Sequence, residues 1–140
     1  AFSWTVSFGR IPNMILPPLL GAEPSAVRIL LVLTLAYFLG CMFVDPIVVI
    51  MILTPIFKPA ITASGLDNVL IGIIVTLQAA IGSTTPPFGC NIFTAMAIFR
   101  QKYVDATRGS FPFIAIMMVV SLLLIFFPQI ALFLRDLSVR

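Results

Sequence analysis

Long apolar stretches separated by short polar interruptions dominate the chain, and they predict an all-α integral membrane protein. Residues 28–58 are almost wholly apolar, and residues 111–134 form the cleanest uninterrupted stretch. A third stretch, residues 67–99, is interrupted near its middle by glycine, hydroxyl and proline residues. Since a membrane-spanning helix needs about 20 apolar residues, each stretch is long enough to enter a bilayer.

Residues 28–58 are too long for one comfortable span, and the sequence GCMFVDP interrupts them at positions 40–46. Asp45 followed by Pro46 is typical of a helix start, because a carboxylate accepts from free amide groups and proline suits the first helical position. We therefore interpret residues 28–58 as a re-entrant hairpin of two half-helices, each of about 12 residues. One tilted span with a kink is the alternative.

Residues 67–99 are interrupted by GSTTPPFGCN at positions 82–91, which predicts one discontinuous transmembrane helix. Thr85 followed by Pro86 repeats the pattern of a capping residue and a proline, so we expect the second half to start there. Residues 111–134 are then a C-terminal transmembrane helix. Residues 1–27 are interpreted as the end of a preceding helix and an interfacial connection, so the chain is expected to be the later part of a longer protein.

Two interrupted helices in one short chain indicate a binding site, because backbone groups without helical partners are tolerated at membrane depth only beside protein or water. Free carbonyl groups suit a small cation, and free amide groups suit an anion. Hydroxyl and amide side chains add neutral oxygen ligands of the kind that Na⁺ takes. The pattern predicts a Na⁺ site at Gly40, Gly82, Ser83, Thr84, Thr85 and Gly89, and a substrate site at Asp45, Pro46, Thr85, Pro86, Pro87 and Asn91. The two breaks should therefore lie side by side.

Asp45 is the only carboxylate within an apolar stretch, so it is a candidate for function as well as for a helix cap. Both interpretations stay open, and proton coupling through Asp45 is an alternative to Na⁺ coupling. An intramembrane enzyme that uses Asp45 would need a second acid, a serine with a base, or a metal cluster. The chain has no histidine, so no enzyme and no cofactor beyond a coupling Na⁺ is predicted. A structural membrane subunit is the remaining alternative.

Four polar or small residues near the breaks have simpler interpretations. Thr76 and Gln78 precede the second break, and we expect them to form hydrogen bonds between helices. Cys41 and Cys90 each follow a glycine, and we expect both to be packing residues.

Composition agrees with the membrane assignment. Hydrophobic residues make up 61% of the chain and charged residues 9%, so there is not enough polar surface to enclose a water-soluble globule. Arg100, Lys102 and Arg108 are interpreted as one short cytoplasmic loop, and no nucleic-acid partner is predicted. The loop at residues 59–68 and the C-terminus are then periplasmic.

The order of four segments resembles a known family: GCMFVDPIVVIMILTP at 40–55, GLD at 65–67, GSTTPPFGCNIF at 82–93 and FPF at 111–113. The chain resembles the C-terminal part of the large membrane (M) subunit of tripartite ATP-independent periplasmic (TRAP) transporters, in the ion transporter superfamily. The likeness runs along the whole chain, and TPPxGxN is its most specific element. It implies half of an inverted-repeat elevator transporter, with residues 40–46 in the second hairpin and residues 82–91 in the second broken helix.

The resemblance also implies a function and partners. Such a protein would be a multi-pass protein of the bacterial inner membrane that imports an organic acid, such as a C4-dicarboxylate or sialic acid, together with Na⁺. It would assemble with a small membrane (Q) subunit and receive its carboxylate substrate from a periplasmic substrate-binding (P) protein. Pro46 departs from the family pattern, in which this position is often small or hydroxylated.

Overall fold

The computed structural model describes residues 18, 20, 21 and 25–138, in which the regular elements are α-helices. Most of the N-terminal connection predicted at residues 1–27 lies outside this part. Residues 26–138 form six helices: α1 (Ala26–Phe43), α2 (Pro46–Ser64), α3 (Asn68–Ser83), α4 (Cys90–Phe99), α5 (Tyr103–Phe126) and α6 (Pro128–Ser138). The all-α prediction is confirmed for the described residues.

Helices α1 and α2 form an antiparallel hairpin joined at Val44 and Asp45. A Cβ atom on Gly40 would lie 2.7 Å from Val49 Cγ1. Farther from the connection, the Tyr37 hydroxyl lies 2.8 Å from Thr54 Oγ1. Positions earlier in α1 thus meet positions later in α2, which excludes the single kinked span.

The hairpin helices are longer than the half-helices predicted for residues 28–58. The side chain of Ser25 accepts a hydrogen bond from the Arg28 amide, which starts α1 two residues earlier. Pro59 does not end α2, because a membrane helix tolerates the hydrogen bond that proline removes where neighbouring groups satisfy the freed carbonyl. Gly65 ends α2 with a positive φ of 67°. Both helices are long and apolar enough to cross a membrane, so the re-entrant arrangement stays a prediction.

Helix α3 is the central helix of the described part and contacts each of the other five. Asp67 caps its start, with Oδ1 accepting from the Val69 amide at 2.8 Å. Its buried face packs most extensively on α1, where Leu33 and Ile74 are fully buried. The end of α3, at the second break, is therefore held against the end of α1, at the first break.

The last long helix begins and ends earlier in the structure than the sequence predicted. Helix α5 runs from Tyr103 to Phe126, whereas the sequence predicted a helix at 111–134. Its early start places Arg108 inside the helix, so the loop between α4 and α5 carries only Arg100 and Lys102 as cations. Its early end follows from Pro128, because a residue before proline is driven out of the helical conformation. Phe127 accordingly has φ −124° and separates α5 from α6.

Three helices of the described part, α1, α2 and α5, are long and apolar enough to span a bilayer. Large apolar side chains such as Ile47, Phe113 and Val119 are exposed on them. A surface of this kind suits hydrocarbon and not water, which supports an integral membrane protein.

Candidate functional site at the two helix breaks

The two breaks lie side by side, as predicted. A Cβ atom on Gly82 would lie 2.6 Å from Cys41 Cβ and 2.9 Å from the carbonyl oxygen of Phe38. Only glycine lets α3 approach α1 this closely. The rings of Phe43 and Phe88, one at each break, have centroids 5.9 Å apart. Residues 40–46 and 82–91 therefore form one region of the molecule.

The first break is a tight connection whose amide end is occupied. Asp45 Oδ1 accepts from the Ile47 amide at 2.9 Å, and Pro46 stands at the start of α2, so the predicted cap is confirmed. The carbonyl of Gly40, predicted to be free, accepts from the Val44 amide at 2.9 Å because the last turn of α1 closes on it. Asp45 is exposed and brings the only formal charge among the described residues of the two breaks.

The second break closes its carbonyl end with hydroxyl groups. Ser83 Oγ donates to the Ala80 carbonyl at 3.0 Å, and Thr84 Oγ1 donates to the Ile81 carbonyl at 2.9 Å. Thr85 Oγ1 also donates to the Ile81 carbonyl, at 2.6 Å. A hydroxyl that donates a hydrogen bond still has lone pairs on its oxygen, and these can accept a hydrogen bond or bind a cation. The predicted Na⁺ ligands thus present oxygen acceptors at the end of α3, next to carbonyls that are already hydrogen-bonded.

Thr85 does not cap the second half of the broken helix, contrary to the prediction. Its hydroxyl is used by α3, and the turn that contains the cis Pro86–Pro87 bond separates it from α4, which begins at Cys90. Gly89 stands at the capping position of α4 and offers no side-chain hydrogen bond. The Ile92 amide donates to the Gly89 carbonyl at 2.9 Å, so the amides of Cys90 and Asn91 are the ones left for an anion, whereas at α2 the Asp45 side chain accepts from the Ile47 amide.

Gly89 and Asn91 join the two sides of the second break. A Cβ atom on Gly89 would lie 2.6 Å from the Ser83 carbonyl oxygen and 2.7 Å from that of Thr85, so only glycine fits there. Asn91 Nδ2 donates to Ser83 Oγ at 2.9 Å, which links α4 to the buried end of α3. The Tyr103 hydroxyl donates to the Pro87 carbonyl at 3.1 Å and ties α5 to the same turn.

A cavity of about 490 Å³ opens beside the second break. Thr84 and Asn91 line it from the break, and Gln101 and Ser110 line it from the loop and from α5. Sequence reasoning missed the last two residues because they lie outside both interruptions. Four neutral polar side chains with apolar residues between them suit a small polar solute that carries no strong net charge.

A sequence model of the tripartite ATP-independent periplasmic transporter, DctM component, matches residues 1–130. The chain belongs to this family. Its similar proteins include the ectoine/5-hydroxyectoine TRAP transporter large permease protein of Ruegeria pomeroyi, 56% identical over 138 residues, which cover 99% of this chain and 32% of that protein. The ectoine TRAP transporter large permease protein of Halomonas elongata is 56% identical over 140 residues, 100% of this chain and 33% of that protein.

The sialic acid TRAP transporter large permease protein of Vibrio cholerae is 30% identical over 137 residues, which cover 97% of this chain and 32% of that protein. The chain thus spans about a third of the length of the relatives that it matches. No solved structure matches it. These relatives are named transporter permeases and not enzymes.

Two further polar residues of this DctM-family chain have clear partners. Gln78 is fully buried and donates through Nε2 to Ser121 Oγ of α5, which confirms the predicted hydrogen bond between helices. Thr76, by contrast, donates to the Gly72 carbonyl of its own helix, so that part of the prediction is wrong.

Cys41 is buried against Gly82, as expected of a packing residue, whereas Cys90 is exposed. Among residues 25–138, no cluster of His, Cys, Asp or Glu could hold a metal ion.

Proposed function

We propose that this chain contributes half of the substrate and ion site of a secondary transporter, which imports a small carboxylate-bearing solute with Na⁺ across the bacterial inner membrane. The observation that carries this proposal is the adjacency of the two breaks, seen in the contact of Gly82 with Cys41. Together they offer an open amide end at α4 and neutral oxygen acceptors at the end of α3. Family membership supports transport, and the chain's own geometry supports the place of the site.

The substrate carboxylate would bind at the start of α4. The amides of Cys90 and Asn91, which have no side-chain cap, and the positive end of the helix dipole favour an anion there. The start of α2 is the poorer anion site, because the Asp45 carboxylate already accepts from the Ile47 amide and repels a second negative charge. Thr85, Pro86, Pro87 and Pro46 then shape the walls of the site, and Asn91 contributes a polar contact.

The charges at the breaks favour a zwitterion over a dicarboxylate or a sugar acid. Asp45 is a lone carboxylate at one break, and the open amide end lies at the other. Ectoine is a cyclic amino acid with one carboxylate and one delocalised cation, which matches this pair of sites. Two relatives of high identity are named as ectoine permeases. We therefore place Asp45 against the substrate cation.

The Na⁺ ion would lie at the end of α3. The oxygens of Ser83, Thr84 and Thr85 keep lone pairs after donating their hydrogen bonds, and Gly82 and Gly89 let the backbone pack closely around them. The Gly40 carbonyl would contribute its second lone pair from the neighbouring break. Neutral ligands of this kind suit a monovalent coupling ion, since they bind it weakly enough for it to be released.

The complete transporter would include the small membrane subunit and the periplasmic binding protein, as the family pattern implies. Arg100 and Lys102 favour a cytoplasmic position for the loop between α4 and α5, which would put the C-terminus in the periplasm. The hairpin and the broken helix would carry the substrate across as one body, by the elevator mechanism.

The decisive test is uptake of labelled ectoine by the complete transporter in proteoliposomes, with its binding protein present. Replacing external Na⁺ with choline at matched pH and membrane potential should abolish uptake. Undiminished uptake in choline would contradict Na⁺ coupling. Excess unlabelled ectoine should compete fully, and succinate or sialic acid should not; the opposite ranking would overturn the zwitterion assignment.

Asp45→Asn tests the substrate contact without removing the cap, since Asn caps a helix as well as Asp does. We expect the half-saturating ectoine concentration to rise about tenfold or more, because a hydrogen bond to a charged group is lost. The Na⁺ dependence should stay as in the wild type. Asp67→Asn is the matched control, because Asp67 caps α3 in the same way but lies away from the breaks. Unchanged ectoine affinity in Asp45→Asn would exclude the contact.

A further inference from the structure

One stripe of α2 stays uncovered in the described part of the chain. Met51, Thr54, Pro55, Lys58, Pro59 and Thr62 line a groove of about 870 Å³ there, and we call this stripe the α2 surface. Its residues recur every three or four positions, so they form one face of the helix. The α2 surface lies away from both helix breaks, and its role is independent of the proposed substrate and ion sites.

Lys58 is the only charged residue of α2, and it lies within an otherwise apolar helix. Its side chain is exposed, and no described residue forms an ion pair with it. An ammonium group at this position of a membrane helix is costly unless an anion neutralises it. The α2 surface therefore calls for an acidic partner.

Pro55 and Pro59 each leave one backbone carbonyl of α2 without its usual helical donor. Neither proline has an amide hydrogen, so the carbonyls of Met51 and Pro55 lose their usual donors four residues ahead. An unpaired carbonyl in hydrocarbon costs several kcal/mol, and lipid chains have no donor to offer. The α2 surface thus needs hydrogen-bond donors as well as a negative charge.

We propose that the α2 surface is the docking site of a membrane helix that carries an Asp or Glu side chain, which pairs with Lys58. Donor side chains of the same helix would satisfy the carbonyls freed by Pro55 and Pro59. A lipid phosphate could neutralise Lys58, but it would leave those carbonyls without partners. The relatives of this chain are about three times its length, so there is ample protein beyond these residues to supply the helix.

Charge reversal in the complete transporter tests the pairing. Lys58→Glu should reduce the yield of assembled transporter at least tenfold, Lys58→Met should reduce it less, and Lys58→Arg should leave it close to the wild type. Lys102→Glu is the control, because Lys102 is an exposed loop cation outside the α2 surface. Substitutions that restore Lys58→Glu should change an Asp or Glu of a membrane helix to Lys or Arg. Wild-type yield for both Lys58→Glu and Lys58→Met would overturn the proposal.

A photo-crosslinking residue at Met51 tests the same proposal with Lys58 intact, so a folding failure of the charge variants cannot hide the answer. Met51 is 60% exposed and lies one turn from Pro55. The crosslink should join Met51 to a peptide that contains an acidic membrane helix. Crosslinks to lipid alone, or a Lys58→Glu defect that disappears when anionic lipids are replaced by neutral ones, would assign the surface to lipid phosphate and refute the helix.

Discussion

The two helix breaks look alike in sequence but solve the same physical problem in opposite ways. The first break satisfies the start of its second helix, because Asp45 accepts from the Ile47 amide. The second break satisfies the end of its first helix, where Thr85 and its neighbours donate hydroxyl protons to carbonyls. The difference shows which helix end remains for a ligand: the amide end lies open at α4 and covered at α2.

The two breaks also differ in how tightly the backbone is packed. At the first break, Gly40 lies against the side chain of Val49, which can move. At the second break, Gly82 and Gly89 lie against backbone atoms of Phe38 and Ser83, which cannot move without shifting a helix. A charged and exposed tip thus faces a neutral turn that is buried at Gly82, Ser83, Thr85 and Gly89, and only the turn depends on close backbone contact.

The largest effect should come from Gly89→Ala. The new Cβ would collide with the carbonyl oxygens of Ser83 and Thr85, so we expect a loss of about 1–3 kcal/mol or more in the stability of the complete transporter. Thermal unfolding of the purified protein measures it. Gly72→Ala is the control, because nothing lies within 4 Å of a Cβ at that position of α3.

Gly40→Ala should destabilise the transporter less than Gly89→Ala does, and a second substitution at Val49 should relieve the effect. In a double-mutant cycle, adding Gly40→Ala to Val49→Ala should cost almost nothing, because the atom that obstructs the new Cβ has been removed. If Gly40→Ala is as harmful as Gly89→Ala in both backgrounds, then the two breaks are equally rigid and the contrast drawn between them fails.

An intermediate effect is expected for Thr85→Val, which removes a buried hydroxyl and its bond to the Ile81 carbonyl but keeps the shape of the side chain. The stability should fall by about 1–2 kcal/mol. Thr94→Val is a matched control, because Thr94 donates to the Cys90 carbonyl from an exposed position on α4. Equal melting temperatures for the two variants would show that the hydroxyl closure of α3 contributes little.

The smallest effect should come from Asp45→Ala, which removes the exposed cap of α2. We expect a loss of about 1 kcal/mol or less, since alanine offers no acceptor to the Ile47 amide. A large loss at Asp45 alone would mean that this carboxylate stabilises the first break through contacts beyond its cap.

Local chemistry made much of the fold predictable. Proline, glycine and hydroxyl residues within apolar stretches identified both breaks, and the pair Asp45 and Pro46 identified the start of α2. The same rule was wrong for Thr85 and Pro86, because a threonine can accept from the amides that follow it or donate to the carbonyls that precede it. Sequence spacing does not decide between these two hydrogen bonds, and the packing of α3 does.

The sequence by itself determined that the chain is apolar and helical, that its helices break at two places, and that Asp45 caps one of the breaks. Each of these properties depends on residues within about one helical turn of each other. The pair of breaks indicated that they should meet, but only the tertiary structure decided that Gly82 admits the close approach of α1 and that Thr85 donates back to α3, which leaves Gly89 at the capping position of α4. The close approach depends on the contact between Cys41 and Gly82, which lie about 40 positions apart, and no local pattern encodes that contact.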